Sequence, residues 1–348
     1  MTNPQQNPAP HKSHPATPQS GVEGPSTNPN LSDKSRLAAD SGDLRFPRTT
    51  PLDTMDCFRE FTRLEIETDL FNPRQRPEVR AAAAQALGGI GAEAVWVLAG
   101  ALGDREVGAL SAEQLVKIGK PALPALLVAV QDVSNQRFQH RAAEAIGKIG
   151  AAEAVPTLQK VLKTDDSSAS AAAARALGEI KHQSAAAALI DGLAFDDIQE
   201  TVTTALESMG EIAVPALIEA AKDEGRNPRT RALAIRVLGS IPSRVGNQDI
   251  INALDSTNSE IRGEAFRAIG RRKAPEALPA LIKALEHDTD KIVRYLAATA
   301  LGTIGDPRAI PALENRLGGR LSFIVSGPET DQDVRRAIGA ALEKLNAS

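Results

Sequence analysis

The chain repeats itself. A run of helical periodicity closes again and again on an aliphatic residue, most often inside the pattern (Leu/Ile)-Gly-x-(Ile/Leu)-Gly. The closing residues, here called anchors, are Leu87, Leu115, Ile146, Leu177, Leu206, Leu238, Ile269, Leu301 and Leu342. They stand 28, 31, 31, 29, 32, 31, 32 and 41 residues apart. A period near 30 holds two short helices and their connections. Neither helix can build a core alone, so the units must stack on one another.

The stretch KIVRYLAATALGTIGDPRAIPALENRL, from Lys291 to Leu317, shows one unit in full. Ile292, Val293, Leu296, Ala297, Ala300, Leu301 and Ile304 are spaced as one stripe of a helix. Gly302 lies inside that helix, where its missing Cβ lets a neighbouring backbone come close. Gly305-Asp306-Pro307 stops the first helix and starts a second, expected to bury Ile310, Leu313 and Leu317. The predicted fold is all-α: an α-α superhelix, or solenoid, of about eight helical hairpins with terminal caps.

Composition divides the chain. Residues 1–50 are rich in Pro, Ser, Asn, Gln and Thr and lack helical or alternating patterning, which reads as a disordered tail. Residues 51–77 read as an N-terminal capping helix with Phe58, Phe61, Leu64 and Leu70 at helical spacing. Cys57 in that helix is expected to be a buried structural thiol. The repeats occupy 78–319, and 320–348 hold an insertion loop and a C-terminal capping helix.

Bulk numbers exclude several classes. Aromatic residues make up 3% and the net charge is −4, which argues against nucleic-acid binding by stacking or by a basic surface. One cysteine rules out an intrachain disulfide and a cysteine-based zinc site and fits a reducing compartment. No apolar run approaches membrane-span length and no signal peptide is evident, so the expectation is a cytoplasmic protein.

Two further series follow the anchors. Pro124, Pro156, Pro215, Pro279 and Pro311 fall in the first turns of the second helices, where proline would bend the axis at limited cost. Arg80, Arg231, Arg262, Arg294 and Arg335 each stand seven residues before an anchor, with Asp255, Asp288 and Glu329 in comparable places. That spacing predicts an acid–arginine ladder tying consecutive units. In the middle units Gly108, Gln139, Ser170 and Gln199 replace the arginine.

The pattern VRxxAAxALGxIGDPRAIPAL resembles HEAT repeats of the PBS-lyase HEAT-like subtype, over roughly residues 78–345. Such repeats occur in phycobilisome lyase subunits and phycobilisome degradation adaptors. The resemblance implies a right-handed superhelix with the arginine-bearing helices lining the concave side. It also implies a bilin-related role, in which Arg236, Arg267 and Arg271 would meet propionates while His140 or Tyr295 assists proton transfer. Phycobiliprotein would then be a partner.

Deoxyhypusine hydroxylase shares this repeat architecture and resembles a metalloenzyme with two irons held by paired His-Glu dipeptides. None of His11, His14, His140, His182 and His287 is followed by Glu here. No Walker A loop, dinucleotide fingerprint or nucleophile elbow occurs either. No cofactor and no catalytic residue is therefore expected.

What remains is an exposed helix face. Two residues before the anchors runs the column Gln85, Glu113, Glu144, Arg175, Thr204, Arg236, Arg267 and Thr299. One turn earlier stand His140, Glu200, Tyr295 and Arg336, and Arg271 extends the basic end. The column passes from acidic to basic along the chain. The expected function is a non-catalytic scaffold that binds another protein in the concave groove through Glu113, His140, Glu144, Arg175, Glu200, Arg236, Arg267, Arg271 and Tyr295. The alternative is the bilin lyase subunit or degradation adaptor.

Overall fold

A computed structural model describes residues 54–132, 134–318 and 328–347, with side chains from Arg63 onward. They lie in one compact unit, Thr50–Ser348. The expectations for the tail and for the centre of the insertion fall outside these residues, and those for the side chains of Cys57, Phe58 and Phe61 fall outside the described side chains.

Among the described residues every element is a helix. After α1 (Thr54–Phe71) come the anchor-bearing helices α2 (Pro77–Ile90), α4 (Gly108–Ile118), α6 (Gln136–Ile149), α8 (Ser167–Ile180) and α10 (Gln199–Met209). The series continues with α12 (Pro228–Ser240), α14 (Ser259–Arg272), α16 (Lys291–Ile304) and α18 (Gln332–Ala347). Shorter helices alternate with them: α3 (Val95–Gly100), α5 (Leu123–Ala129), α7 (Val155–Leu162) and α9 (Gln183–Gly192). The rest of that set is α11 (Val214–Lys222), α13 (Asn247–Ala253), α15 (Leu278–His287) and α17 (Ile310–Leu317). Each anchor helix packs on the next anchor helix and on the helix that precedes it, the expected all-α solenoid.

Local chemistry sets the helix ends. Asn135, Asp166, Asn258 and Asp290 accept hydrogen bonds from backbone N–H groups in the first turns of α6, α8, α14 and α16. Gly150 and Gly305 end α6 and α16 in the left-handed region, which glycine enters without steric cost. Lys181 and Lys273 adopt that conformation after α8 and α14. The five prolines sit one residue inside α5, α7, α11, α15 and α17. There no intrahelical N–H partner is lost, so they start these helices rather than bend them.

The first eight anchors, from Leu87 to Leu301, are fully buried. The glycine that follows an anchor lies against the residue that precedes the next anchor. Gly147 meets Ala176, Gly178 meets Ala205, Gly270 meets Ala300, and Gly302 meets Ala341. This register survives the long 41-residue step. Two expected core positions are exposed instead: Ile292 at 58% and Leu64 at 64%. Ile292 shares a helix face with exposed Tyr295 and Thr299, and Leu64 shares one with exposed Thr68 and Phe71. At the C-terminal end Ile338 and Leu345 are buried while Leu342 is only partly so.

Among the described residues the acid–arginine ladder forms at Arg80, Arg262 and Arg294 but not at Arg231 or Arg335, and its arginines have a second job. Arg80 ion-pairs with Asp104 and Glu106 of the next unit at 2.5 and 2.6 Å. Arg294 pairs with Glu329 at 2.7 Å, and Arg262 with Asp288 at 3.9 Å. Each arginine also donates to carbonyls left open at the end of the preceding helix, as Arg80 does to Leu70, Arg231 to Ala221 and Arg294 to Asp288. Ser170 does the same toward Val161 in a unit without the arginine. At Gly108 the side chain comes from the neighbouring unit: Arg141 reaches over the glycine to the carbonyls of Leu102 and Asp104. Asp255 pairs with Lys283 rather than with a ladder arginine.

Candidate functional site: the anchor-helix face

Packing on two sides leaves each anchor helix one free face, and the candidate residues fall on it. Glu113, His140, Glu144, Arg175, Glu200, Arg236, Arg267, Arg271 and Tyr295 are all exposed. Their neighbours differ along the array. Glu113 is paired one turn on with Lys117 at 3.1 Å, and Glu144 with Lys148 at 2.6 Å. The Lys148 hydrogen bond, opposed by burial and aided by the charges of Lys148, His140 and Arg141, lowers the Glu144 pKa. Arg175 of α8 lies 3.3 Å from Nδ1 of His140 on α6, which joins two consecutive units across the face. Burial, with the charge of Glu144, raises the pKa of Glu179 beside them against Lys148 and Arg175.

The basic end is organised by a residue the column pattern does not single out. Glu264 is 7% exposed and lies between two units. It accepts from Arg267 at 3.1 Å and sits 3.6 Å from Arg236, both through Oε1, while Oε2 is buried without a partner. The pair with Arg267 is legible as an i, i+3 spacing. The approach to Arg236 across the unit boundary is not. Arg271 donates to the Arg236 carbonyl at 3.0 Å. Arg236 and Arg267 thus share one carboxylate, with Arg271 beside them in the field of Glu264 and Glu207, whereas the acidic side chains of the early units are matched by lysines.

Beyond the basic cluster, at the C-terminal end of this face, α16 and α18 border a groove of about 650 Å³. Ile292, Tyr295 and Ala337 line it, with Lys291, Asp331 and Arg336 at its rim. Lys291 pairs with Asp331 at 3.2 Å. Tyr295, the sole tyrosine of the chain, is 42% exposed there.

Paired His-Glu ligands have no counterpart in space among the described residues. Among the described residues no three His, Cys, Asp or Glu side chains gather as a metal-binding set, and His140 contacts an arginine. The described residues do not fit a metal centre. No described helix is long and apolar enough to cross a membrane.

Residues 123–210 and 247–343 match the HEAT repeats family. Deoxyhypusine hydroxylase-B of Oryza sativa subsp. japonica is 30% identical over 225 residues, covering 55% of this chain and 74% of that protein. The bilin biosynthesis protein PecE of Nostoc sp. is 47% identical over 57 residues, which are 16% of this chain and 22% of PecE. Among solved structures, the karyopherin Kap121p bound to the SUMO protease Ulp1p aligns with a TM-score of 0.55 at 13% identity, over 92% of this chain and 40% of the karyopherin.

Proposed function

Because the chain belongs to the HEAT-repeat family, we propose that it is a non-catalytic scaffold that binds another protein along the anchor-helix face. The observation that carries this reading is the basic excess in the later units of that face: Arg236 and Arg267 share the carboxylate of Glu264, and Arg271 stands beside them in the field of Glu264 and Glu207. Paired charges on an exposed helix are fully explained by solvation and i, i+4 attraction. A cluster of like charges held within one patch raises its own energy and is relieved by an acidic surface. The partner is accordingly an acidic protein segment, with Arg175, His140, Glu144, Glu113, Glu200 and Tyr295 along its path.

The test is the triple variant Arg236→Gln/Glu264→Gln/Arg267→Gln, which removes the cluster without stranding a buried carboxylate. Affinity capture with quantitative mass spectrometry should show partners of the parent depleted on the variant, more strongly at low salt. An identical partner set at every salt concentration overturns the reading.

A second reading rests on the PecE-like segment: a bilin-related lyase subunit or phycobilisome adaptor. Here the scaffold would hold bilin and acceptor together, so that proximity supplies the rate. Co-expression with phycocyanobilin and phycobiliprotein subunits discriminates. A covalently coloured product favours the lyase, and complex formation without colour favours the adaptor.

A further inference from the structure

Where α12 and α14 end, a cleft of about 510 Å³ opens beside the anchor-helix face. Four cations line it, Arg244, Arg271, Arg272 and Lys273, against one carboxylate, Glu276. Glu276 is itself engaged by the amide of Asn247 at 2.6 Å. Among the described residues none of the four cations forms an ion pair. Arg272 spends its donors on neutral acceptors, the Leu238 carbonyl at 3.0 Å, the Val245 carbonyl at 2.8 Å and Oδ1 of Asn247 at 2.7 Å. Arg271 donates to the Arg236 carbonyl. Burial lowers the pKa of both arginines, and for Arg272 no acid offsets it. Lys273 stands at φ 50°, in the left-handed conformation that glycine fills after α6 and α16. A lysine there holds a backbone conformation that side chains rarely adopt, and Lys273 lines the same cleft.

We propose that this cleft is an anion site for a phosphate monoester or inorganic phosphate, gripped by Arg244, Arg271 and Lys273 and backed by Arg272. The charge balance selects the ligand class. With Glu276 ionised and Arg271 shared with Glu264 and Glu207 of the neighbouring face, two positive charges remain uncompensated, which one carboxylate halves and a dianion neutralises. Guanidinium groups also match phosphate oxygens in geometry as well as charge. The site shares only Arg271 with the protein-binding face and does not depend on that reading.

The test is isothermal titration of the full-length protein with inorganic phosphate, against sodium chloride of equal ionic strength. Three variants accompany the parent. Lys181→Gly relieves the same backbone conformation at the end of α8, away from this cleft, and should bind phosphate like the parent. Arg244→Gln/Lys273→Gly should bind at least about tenfold more weakly. It should still melt at or above the parental temperature, because glycine relaxes the left-handed residue. Asn247→Asp, which adds a carboxylate beside Arg272, should also weaken binding. A phosphoserine peptide run alongside separates the sources: tighter binding than inorganic phosphate assigns the site to a protein-borne phosphoryl group, and equal or weaker binding assigns it to the free anion. No saturable heat with either titrant, or undiminished binding by the folded double variant, overturns the proposal.

Discussion

Gly302 and Gly270 occupy the same place, one residue after their anchors, yet an added methyl group would meet different surroundings. At Gly302 it would lie 2.7 Å from both Cα and Cβ of Ala341, closer than carbon atoms approach. At Gly270 the nearest atoms, Cα and Cβ of Ala300, would be 3.5 Å away, an ordinary contact. Gly302→Ala must push α16 and α18 apart and should cost about 1–3 kcal/mol. Gly270→Ala should gain about 0.5–1 kcal/mol from helix propensity. Urea midpoints of the two variants should therefore move in opposite directions, and movement in the same direction refutes the packing argument. The sequence exposes the need for a small residue at both sites, since each breaks a helical run. It cannot separate them, because both face an alanine and only the spacing of the helices differs. The exposure of Ile292 was hidden for a similar reason: seven apolar residues make a stripe wider than the buried side of α16.

At the scale of elements, the arginine ladder shows how charge is used to close helix ends. Its strongest rung joins α16, α17 and the start of α18. The Glu329 side chain is 1% exposed and is held by Arg294 at 2.7 Å and Arg316 at 3.1 Å. Burial alone would raise the Glu329 pKa. The Arg294 hydrogen bonds, the Asp331 backbone N–H and the charges of Arg294 and Arg316 outweigh it and leave the carboxyl below its ordinary range. A carboxyl whose folded pKa is depressed contributes stability above its unfolded pKa and loses it as the pH falls through the folded value. Glu329→Gln should thus lower stability at pH 7 by about 2–4 kcal/mol, since it leaves two poorly hydrated arginines without their acid. The gap should shrink at about pH 3, below the ordinary glutamate value of about 4.3, where the unfolded parent takes up a proton that the depressed folded carboxyl resists. A gap equal at both pH values would show that shape, not charge, holds this joint. The five arginines seven residues before their anchors made the ladder legible. Their hydrogen bonds to open carbonyls were not, and neither was Arg141, which serves a unit other than its own.

At the scale of the whole repeat array, the joints are unequal. Between anchors, the tight-joint glycine is replaced at Val116 and Glu207. At the second of these the facing position also changes, from alanine to the larger Val237. There α10 and α12 meet more sparsely than any other consecutive pair of anchor helices. The stretches that match the HEAT repeats family stop at 210 and resume at 247, on either side of this joint. The repeat number could be counted from the sequence, and so could the missing glycine. The weakness of the joint depends on both faces at once, and that pairing is visible only when the units are stacked. In an array whose stability sums unit and nearest-neighbour contributions, a weak interface divides cooperative unfolding. Native-state hydrogen exchange in rising urea should therefore resolve two groups of amides, those of α2–α10 and those of α12–α18, with different opening free energies. Loss of protection in both groups at one urea concentration would mean that the joint transmits stability as well as the others. The division also bears on binding, because the arginine cluster around Glu264 lies wholly on α12 and α14. A partner that grips only this cluster should raise protection in α12–α18 and leave α2–α10 unchanged, whereas one that follows the face through Arg175 and His140 should protect both.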